Sequence, residues 1–214
     1  MLKVLNQSNS VANHFLYEMR HIETQKDRAK FRNNLRRLGV VMAYEISKAL
    51  SYTKAVVETP LDTMEVDLLA EQPVLISILR AALPFSDGFT EVFDQADVGF
   101  VGAYRMEEGA EIAVNFEYMA SPAVEGRVVI VVDPMLATGK SIIESIDHLL
   151  NNGKPGHIHI AAAVAAPEGI DYISKMLKVE HTIWAGALDE KLNNKSYIVP
   201  GLGDAGDLCF GPKL

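Results

Sequence analysis

The sequence predicts an α/β protein built on a mostly parallel sheet flanked by helices. Strands at 73–79, 127–132 and 157–165 are apolar throughout rather than alternating, so both of their faces need covering. Helix-length amphipathic stretches separate them, as crossover connections between parallel strands require. At 214 residues, with 49% hydrophobic and 22% charged residues, the chain has ordinary globular composition and enough length for one sizeable domain, read as spanning 1–214.

The elements follow in order. A short helix is expected near 10–20, then a long one over 26–50, where Phe31, Leu35, Leu38, Met42, Ile46 and Leu50 recur at three-to-four spacing. The opposite face of the long helix carries Arg32, Asn33, Arg36 and Arg37, which reads as a solvated face rather than a nucleic-acid patch. Segments 54–59 and 63–69 around Pro60-Leu61-Asp62 read as a hairpin. Strand 73–79 runs into Arg80, followed by a helix over 84–93, a strand over 98–104, an exposed turn at Glu107-Glu108-Gly109 and an extended stretch over 111–119. The second half continues as strand 127–132, helix 141–150, strand 157–165, helix 167–177 and strand 181–184. A C-terminal loop region closes the chain. His157 and His159 alternate on a strand without a third ligand nearby and read as exposed strand residues.

Charge and composition narrow the function classes. A net charge of −8 disfavours general nucleic-acid binding. The apolar runs are too short to cross a membrane, and the first twenty or so residues hold polar side chains where a signal peptide has its apolar core. The single cysteine, Cys209, excludes an internal disulfide and reads as a small packed side chain in a reducing, cytoplasmic setting.

The informative stretch is 128–141, where the apolar strand Val128-Val129-Ile130-Val131-Val132 ends in Asp133-Pro134-Met135-Leu136-Ala137-Thr138-Gly139-Lys140-Ser141. An acid at the carboxyl end of a buried strand, then a Thr-Gly loop opening a helix, suits a phosphate held by unpaired amides and the positive end of the helix dipole. A Walker A loop would need glycine where Pro134 stands. On the loop alone, a structural turn capped by Asp133 and Thr138 stays open as the other reading.

This segment resembles the phosphoribosyl-diphosphate (PRPP) motif of type I phosphoribosyltransferases. Most of that superfamily carries two adjacent acids; Asp-Pro-Met-Leu-Ala-Thr-Gly is the form seen in uracil phosphoribosyltransferases. Other segments fall in that family's order. Ile78-Leu79-Arg80-Ala81-Ala82-Leu83 resembles its pyrophosphate loop, and Tyr104-Arg105-Met106-Glu107-Glu108 its arginine-bearing segment. Ala165-Ala166-Pro167-Glu168-Gly169-Ile170 matches a further, structural segment. Tyr197-Ile198-Val199-Pro200-Gly201-Leu202-Gly203-Asp204-Ala205-Gly206-Asp207 looks like its uracil-binding loop. The resemblance covers nearly all the chain from about Glu18 onward.

The resemblance implies a type I phosphoribosyltransferase fold that converts uracil and PRPP into UMP and diphosphate in pyrimidine salvage. It implies Mg²⁺ held mainly by PRPP and water, with no dedicated protein metal site. By the same resemblance, PRPP is bound by Arg80, Arg105, Asp133, Pro134, Met135, Leu136, Ala137, Thr138, Gly139, Lys140, Ser141 and Asp204. Uracil is bound by Ile198, Gly203, Asp204 and Ala205, and Asp133, Arg80, Arg105 and Asp204 form the catalytic set. A homodimer or dimer-based tetramer, assembled through the 54–69 hairpin, and GTP as a candidate effector are also implied. Two positions depart from the family pattern: Ala82 and Lys140 stand where glycines are usual, which costs free energy if either backbone needs positive φ. The rival reading is a silent or RNA-binding regulatory relative on the same fold.

Overall fold

A computed structural model describes residues 1–108 and 111–212, and their side chains outside 103–117. The chain opens with strand β1 (Leu2–Val4) and helices α1 (Ala12–Arg20) and α2 (Arg28–Ser47). Asp27 caps α2 by accepting from the Ala29 and Lys30 amides at 3.0 and 3.1 Å, donors that have no partner within the helix. Phe31, Leu35, Leu38, Met42 and Ile46 are buried along one stripe of α2, as the 3.6-residue period requires. Strands β2 (Tyr52–Glu58) and β3 (Thr63–Leu69) pair only with each other, as a mostly exposed antiparallel hairpin.

The central part runs through β4 (Val74–Leu79), α3 (Ala82–Val92), β5 (Asp97–Glu108), β6 (Glu111–Ala120), β7 (Val128–Val132), the short β8 (Met135–Leu136) and α4 (Lys140–Leu149). It continues with β9 (His157–Ala165), α5 (Pro167–Met176), β10 (His181–Leu188), the two-residue β11 (Lys191–Leu192) and β12 (Ile198–Val199), and α6 (Ala205–Phe210). The main sheet has the order β1-β10-β9-β7-β4-β5-β6, with β8 also against β9. Its neighbours are parallel except β5 and β6.

The apolar strands serve two cores at once. Leu75, Ile130 and Val132 face α2 and α3 with Phe31, Leu38, Phe85 and Phe89. Their neighbours Val74, Ile76, Val129 and Val131 face α4 and α5 with Ile142, Ile146 and Ile173. The period of two along each strand sends successive side chains to opposite layers, so a strand covered on both faces has no solvent-facing position, and the polar side chains Ser77 and His159 are buried with Ser86 and Trp184 as partners. The mostly parallel sheet flanked by helices is therefore as the apolar runs predicted.

The structure adds or corrects four elements. β1 was not foreseen, because three residues carry no readable period; its place is fixed by pairing Leu2, Lys3 and Val4 with Ile183, Trp184 and Ala185. β10 extends to Leu188, beyond the expected 184, because it keeps its register with β9 as far as Ala165. The expected C-terminal loop contains helix α6, capped by Asp204, whose Oδ1 accepts from the Asp207 amide at 2.9 Å. Glu107 and Glu108 end strand β5 rather than starting a turn, and Gly109 lies outside the described residues.

His159 is the clearest correction among side chains. It is 3% exposed, not a surface strand residue, because its face of β9 packs under Trp184, whose Nε1–H donates to His159 Nδ1 at 3.1 Å. The basic face of α2 is likewise engaged. Arg32 donates to the Cys209 carbonyl at 2.7 Å, Arg36 pairs with Glu91, and Arg37 lies over the Phe15 ring. Cys209 is fully buried, and burial pushes its thiol up to about 12, in keeping with a packed, inert side chain. Among the described residues no helix is long and apolar enough to cross a membrane.

Candidate active site

The sheet order places a crevice between β4 and β7. From β4 the chain leaves through α3 towards β5, and from β7 through α4 towards β9, so the two connections diverge from adjacent parallel strands onto opposite faces. Open α/β sheets bind ligands at such a switch point, outside the carboxyl ends of the strands. Arg80 follows β4 there, and Asp133 follows β7. The two strands are in register with Ser77 beside Val132, which brings both side chains to one edge. Arg105 lies on β5, three residues past Gly102, the partner of Leu79; its side chain lies outside the described residues.

The loop after β7 is stitched to β9. The Asp133 amide donates to Ala161 O at 3.0 Å, the Pro134 carbonyl accepts from the Ala163 and Val164 amides at 3.1 Å each, and the Ala166 amide donates to Leu136 O at 2.9 Å. Asp133 Oδ1 accepts from the Met135 amide at 3.1 Å, so the carboxylate is oriented by its own loop. Gly139 follows with φ +76° and then α4 begins. A shallow hollow, open to solvent, is lined by Asp133, Met135, Ala137, Thr138, Gly139, Ser141 and Ile142. The first-turn amides of α4 have no carbonyl one turn back to take them, and the dipole end is positive, so the hollow suits an anion.

The C-terminal segment reaches the same edge. Ile198 and Ala205 are buried, whereas Gly203 and Asp204 are exposed. Gly203 adopts φ +95° with open space before it: a Cβ there would meet nothing nearer than Leu208 Cδ1 at 3.9 Å. Arg80 ties this segment to the crevice, its Nη2 lying 3.3 Å from Gly211 O and 3.5 Å from Asp207 Oδ1. Arg80 Nε is buried without a hydrogen-bond partner.

An anion-suited hollow after β7 and Arg80 after β4 thus share one sheet edge, and Arg80 ties the C-terminal segment to it. A family model described as uracil phosphoribosyltransferase matches residues 6–212. The chain belongs to this family. A uracil phosphoribosyltransferase of Porphyromonas gingivalis is 45% identical over 211 residues, 98% of each chain, and that of Pyrococcus furiosus is 39% identical over 92% of this chain and 84% of its own. Among solved structures, the AQ2163 protein from Aquifex aeolicus superposes with TM-score 0.88 at 34% identity, covering 99% of this chain and 98% of that one.

Both departures from the family pattern are harmless to the backbone. Ala82 and Lys140 are the first residues of α3 and α4, and Ser196 is the only non-glycine with positive φ among the described residues. Lys140 does not line the hollow; its charge acts on Glu144, one turn along α4. The family segment around Gly169 has a physical reason, because a Cβ at Gly169 would lie 2.3 Å from Ala137 O.

Arg20 and Asp189 were singled out by no motif. They form an ion pair with Nη2–Oδ1 at 2.6 Å and Nη1–Oδ2 at 2.9 Å. Arg20 Nη1 also donates to Gly201 O at 2.9 Å, and the Gly201 amide donates to Asp189 Oδ2 at 2.8 Å. The partners lie 169 residues apart, a separation at which sequence spacing carries no signal.

Proposed function

We propose that this family member transfers the phosphoribosyl group of PRPP to uracil, giving UMP and diphosphate in pyrimidine salvage, with 1–214 acting as one domain. The observation that supports the reading is that Arg80 and Asp133 follow the adjacent parallel strands β4 and β7 at one sheet edge, and that Arg80 reaches the C-terminal segment at Asp207 and Gly211. The Ala137 amide donates to Met135 O at 3.1 Å and the Lys140 amide to Thr138 Oγ1 at 3.4 Å, so in this reading the Thr138, Gly139 and Ser141 amides, with the Thr138 and Ser141 hydroxyls, hold the 5′-phosphate, and Pro134, Met135 and Leu136 shape the approach to it. Asp133 accepts a hydrogen bond from a ribose hydroxyl. Arg80 and Arg105 neutralise the departing diphosphate, a task for which planar guanidinium donors suit better than a point charge.

Uracil offers O2 and O4 as acceptors and N3–H as a donor. Backbone groups of Ile198, Gly203, Asp204 and Ala205 match that edge and leave polar groups unpaired against cytosine, which reverses the pattern at N3 and position 4. The glycosidic bond forms from uracil N1 to ribose C1 as the bond from C1 to the diphosphate oxygen breaks, through an oxocarbenium-like state. The chain's contribution is orientation and charge neutralisation rather than a dedicated general base.

Mg²⁺ fits the donor set, since it keeps several waters and binds through one or two carboxylates plus substrate phosphates. Asp204 presents an exposed carboxylate at the same edge as Arg80. When bound, Mg²⁺ would supply further neutralisation of the diphosphate. We extend the reading to a cytoplasmic homodimer or dimer-based tetramer. The exposed apolar residues Tyr52, Val56, Met64 and Leu68 on the β2–β3 hairpin support the assembly. GTP is carried as a candidate effector by the family resemblance alone.

UMP formation from uracil and PRPP with Mg²⁺, run beside cytosine, adenine, hypoxanthine and orotate, tests the reading. Turnover with uracil alone is expected. No turnover with any base would refute the enzyme, and preference for another base would refute the substrate.

A further inference from the structure

The segment read as uracil-binding does not stand on its own. Gly201, in its middle, has φ +61°, and a Cβ there would lie 2.1 Å from Ile198 O, so the segment's own turn admits only glycine at this point. Both polar groups of Gly201 are taken by one ion pair: its carbonyl by Arg20 and its amide by Asp189. Asp189 is itself fixed to the main sheet, its amide donating to Ala165 O at 2.8 Å, and its side chain is only 5% exposed. Gln25, with its amide oriented to suit its neighbours, donates to Leu202 O at 2.7 Å, and Arg32 holds Cys209 O. The N-terminal region thus grips the base segment at 201 and 202, and α6 behind it at 209. The 133–141 loop is bonded instead to β9.

We propose that Arg20 and Asp189 are the positioning pair for the base: by fixing the Gly201 peptide they set the Ile198 and Gly203–Asp204 backbone groups that meet uracil. The inference rests on the reading of that segment as the uracil site. A buried ion pair is a poor device for stability alone, because desolvation offsets much of its attraction and an apolar pair would serve as well. An apolar pair could not hold both the donor and the acceptor of one peptide. Recognition through backbone groups needs each peptide within about 0.5 Å and 10–20° of its productive orientation, which such a grip supplies. Neither residue touches the base, so the pair acts on uracil affinity and leaves PRPP binding alone.

The test is steady-state kinetics on Arg20→Gln, Asp189→Asn, their double variant and Arg20→Lys, beside the unaltered enzyme. The single variants are expected to raise the uracil KM about tenfold or more, the scale of a lost charge-assisted hydrogen bond, with the PRPP KM within about twofold. The double variant should be no worse than the worse single, because the residues act as one unit. Arg20→Lys, which keeps a cation but loses the two-pronged grip, should recover only part of the affinity. An unchanged uracil KM, or an equal rise in both KM values, would overturn the proposal. So would failure of all four variants to fold, which would make the pair a stability element. An unaltered enzyme that forms no UMP would instead overturn the uracil reading, and the positioning role with it.

Discussion

Gly139 and Gly169 pack backbone to backbone: a Cβ on Gly139 would lie 2.8 Å from Gly169 O, and one on Gly169 would lie 2.3 Å from Ala137 O. The phosphate loop is therefore pressed against the first turn of α5 with no room for a methyl group on either side. This contact explains a family segment that carries no chemistry of its own. Gly169→Ala should push the loop away from its place. We expect the PRPP KM to rise about tenfold and stability to fall by about 1–3 kcal/mol, the usual scale of overpacking, with the uracil KM little changed. Kinetics and chemical denaturation check both parts.

Asp133→Asn keeps an oxygen for the Met135 amide and so should fold normally. It removes the charge offered to the ribose and the developing cation. Turnover is expected to fall by about 10²-fold or more, in line with the loss of a preorganised electrostatic contact. Unchanged kcat would refute the ribose role.

Arg80 differs from a lysine in more than charge, because its planar guanidinium reaches Gly211 O and Asp207 Oδ1 through one nitrogen and keeps its other donors in a fixed fork. Arg80→Lys should therefore show much of the defect of Arg80→Gln, a loss of about 10-fold or more in kcat/KM for PRPP. Product inhibition by diphosphate, measured on both variants, should weaken in parallel; undiminished inhibition would exclude Arg80 from the diphosphate site.

Lys140 donates its backbone amide to Thr138 Oγ1 at 3.4 Å, and its charge acts on Glu144. Lys140→Ala should leave kcat and both KM values within about threefold, as for surface substitutions away from a site, and stabilise α4 slightly by removing a cation from its positive end. A large rise in the PRPP KM would show the ammonium on the phosphate.

His159 makes stability depend on pH. Burial pushes its pKa down to about 4 from 6.5, and the neighbouring His157 ring, 4.6 Å away, adds to the shift. Its Nδ1 must also stay unprotonated to accept from Trp184. Glu180, 3.9 Å from His157, and His181 complete the titratable surroundings. Between pH 6.5 and 4 the unfolded chain binds the proton and the folded one does not, so stability is full above 6.5, falls as pH drops towards 4 and levels off below. The loss from this group is on the order of 3 kcal/mol. Denaturation curves at several pH values should show it, and His159→Leu should flatten it.

The phosphate loop and the sheet beneath it were legible in the sequence because their signals are local. Val128–Val132 is apolar without interruption, and Asp133, Thr138 and Gly139 follow it within one turn of chain. Arg80 at the end of its own apolar strand was legible for the same reason. The exposed rating of His159 failed because burial there depends on Trp184, 25 residues away on the neighbouring strand. β1 was invisible because three residues have no period, and α6 because its six residues are too few to show one.

By itself, then, the sequence determined the α/β class, the strand-to-helix junction at 133–141 and the order of the family's motifs, all of which depend on residues close together in the chain. Tertiary structure alone decided which edge gathers them, that Lys140 and Ala82 sit in relaxed helical positions, and that Arg20 and Asp189 hold the two sides of the Gly201 backbone. The physical reason is the range of the interaction: periodicity and turn chemistry act over a few residues, whereas the Arg20–Asp189 pair spans 169 and exists only once the sheet has brought its ends together.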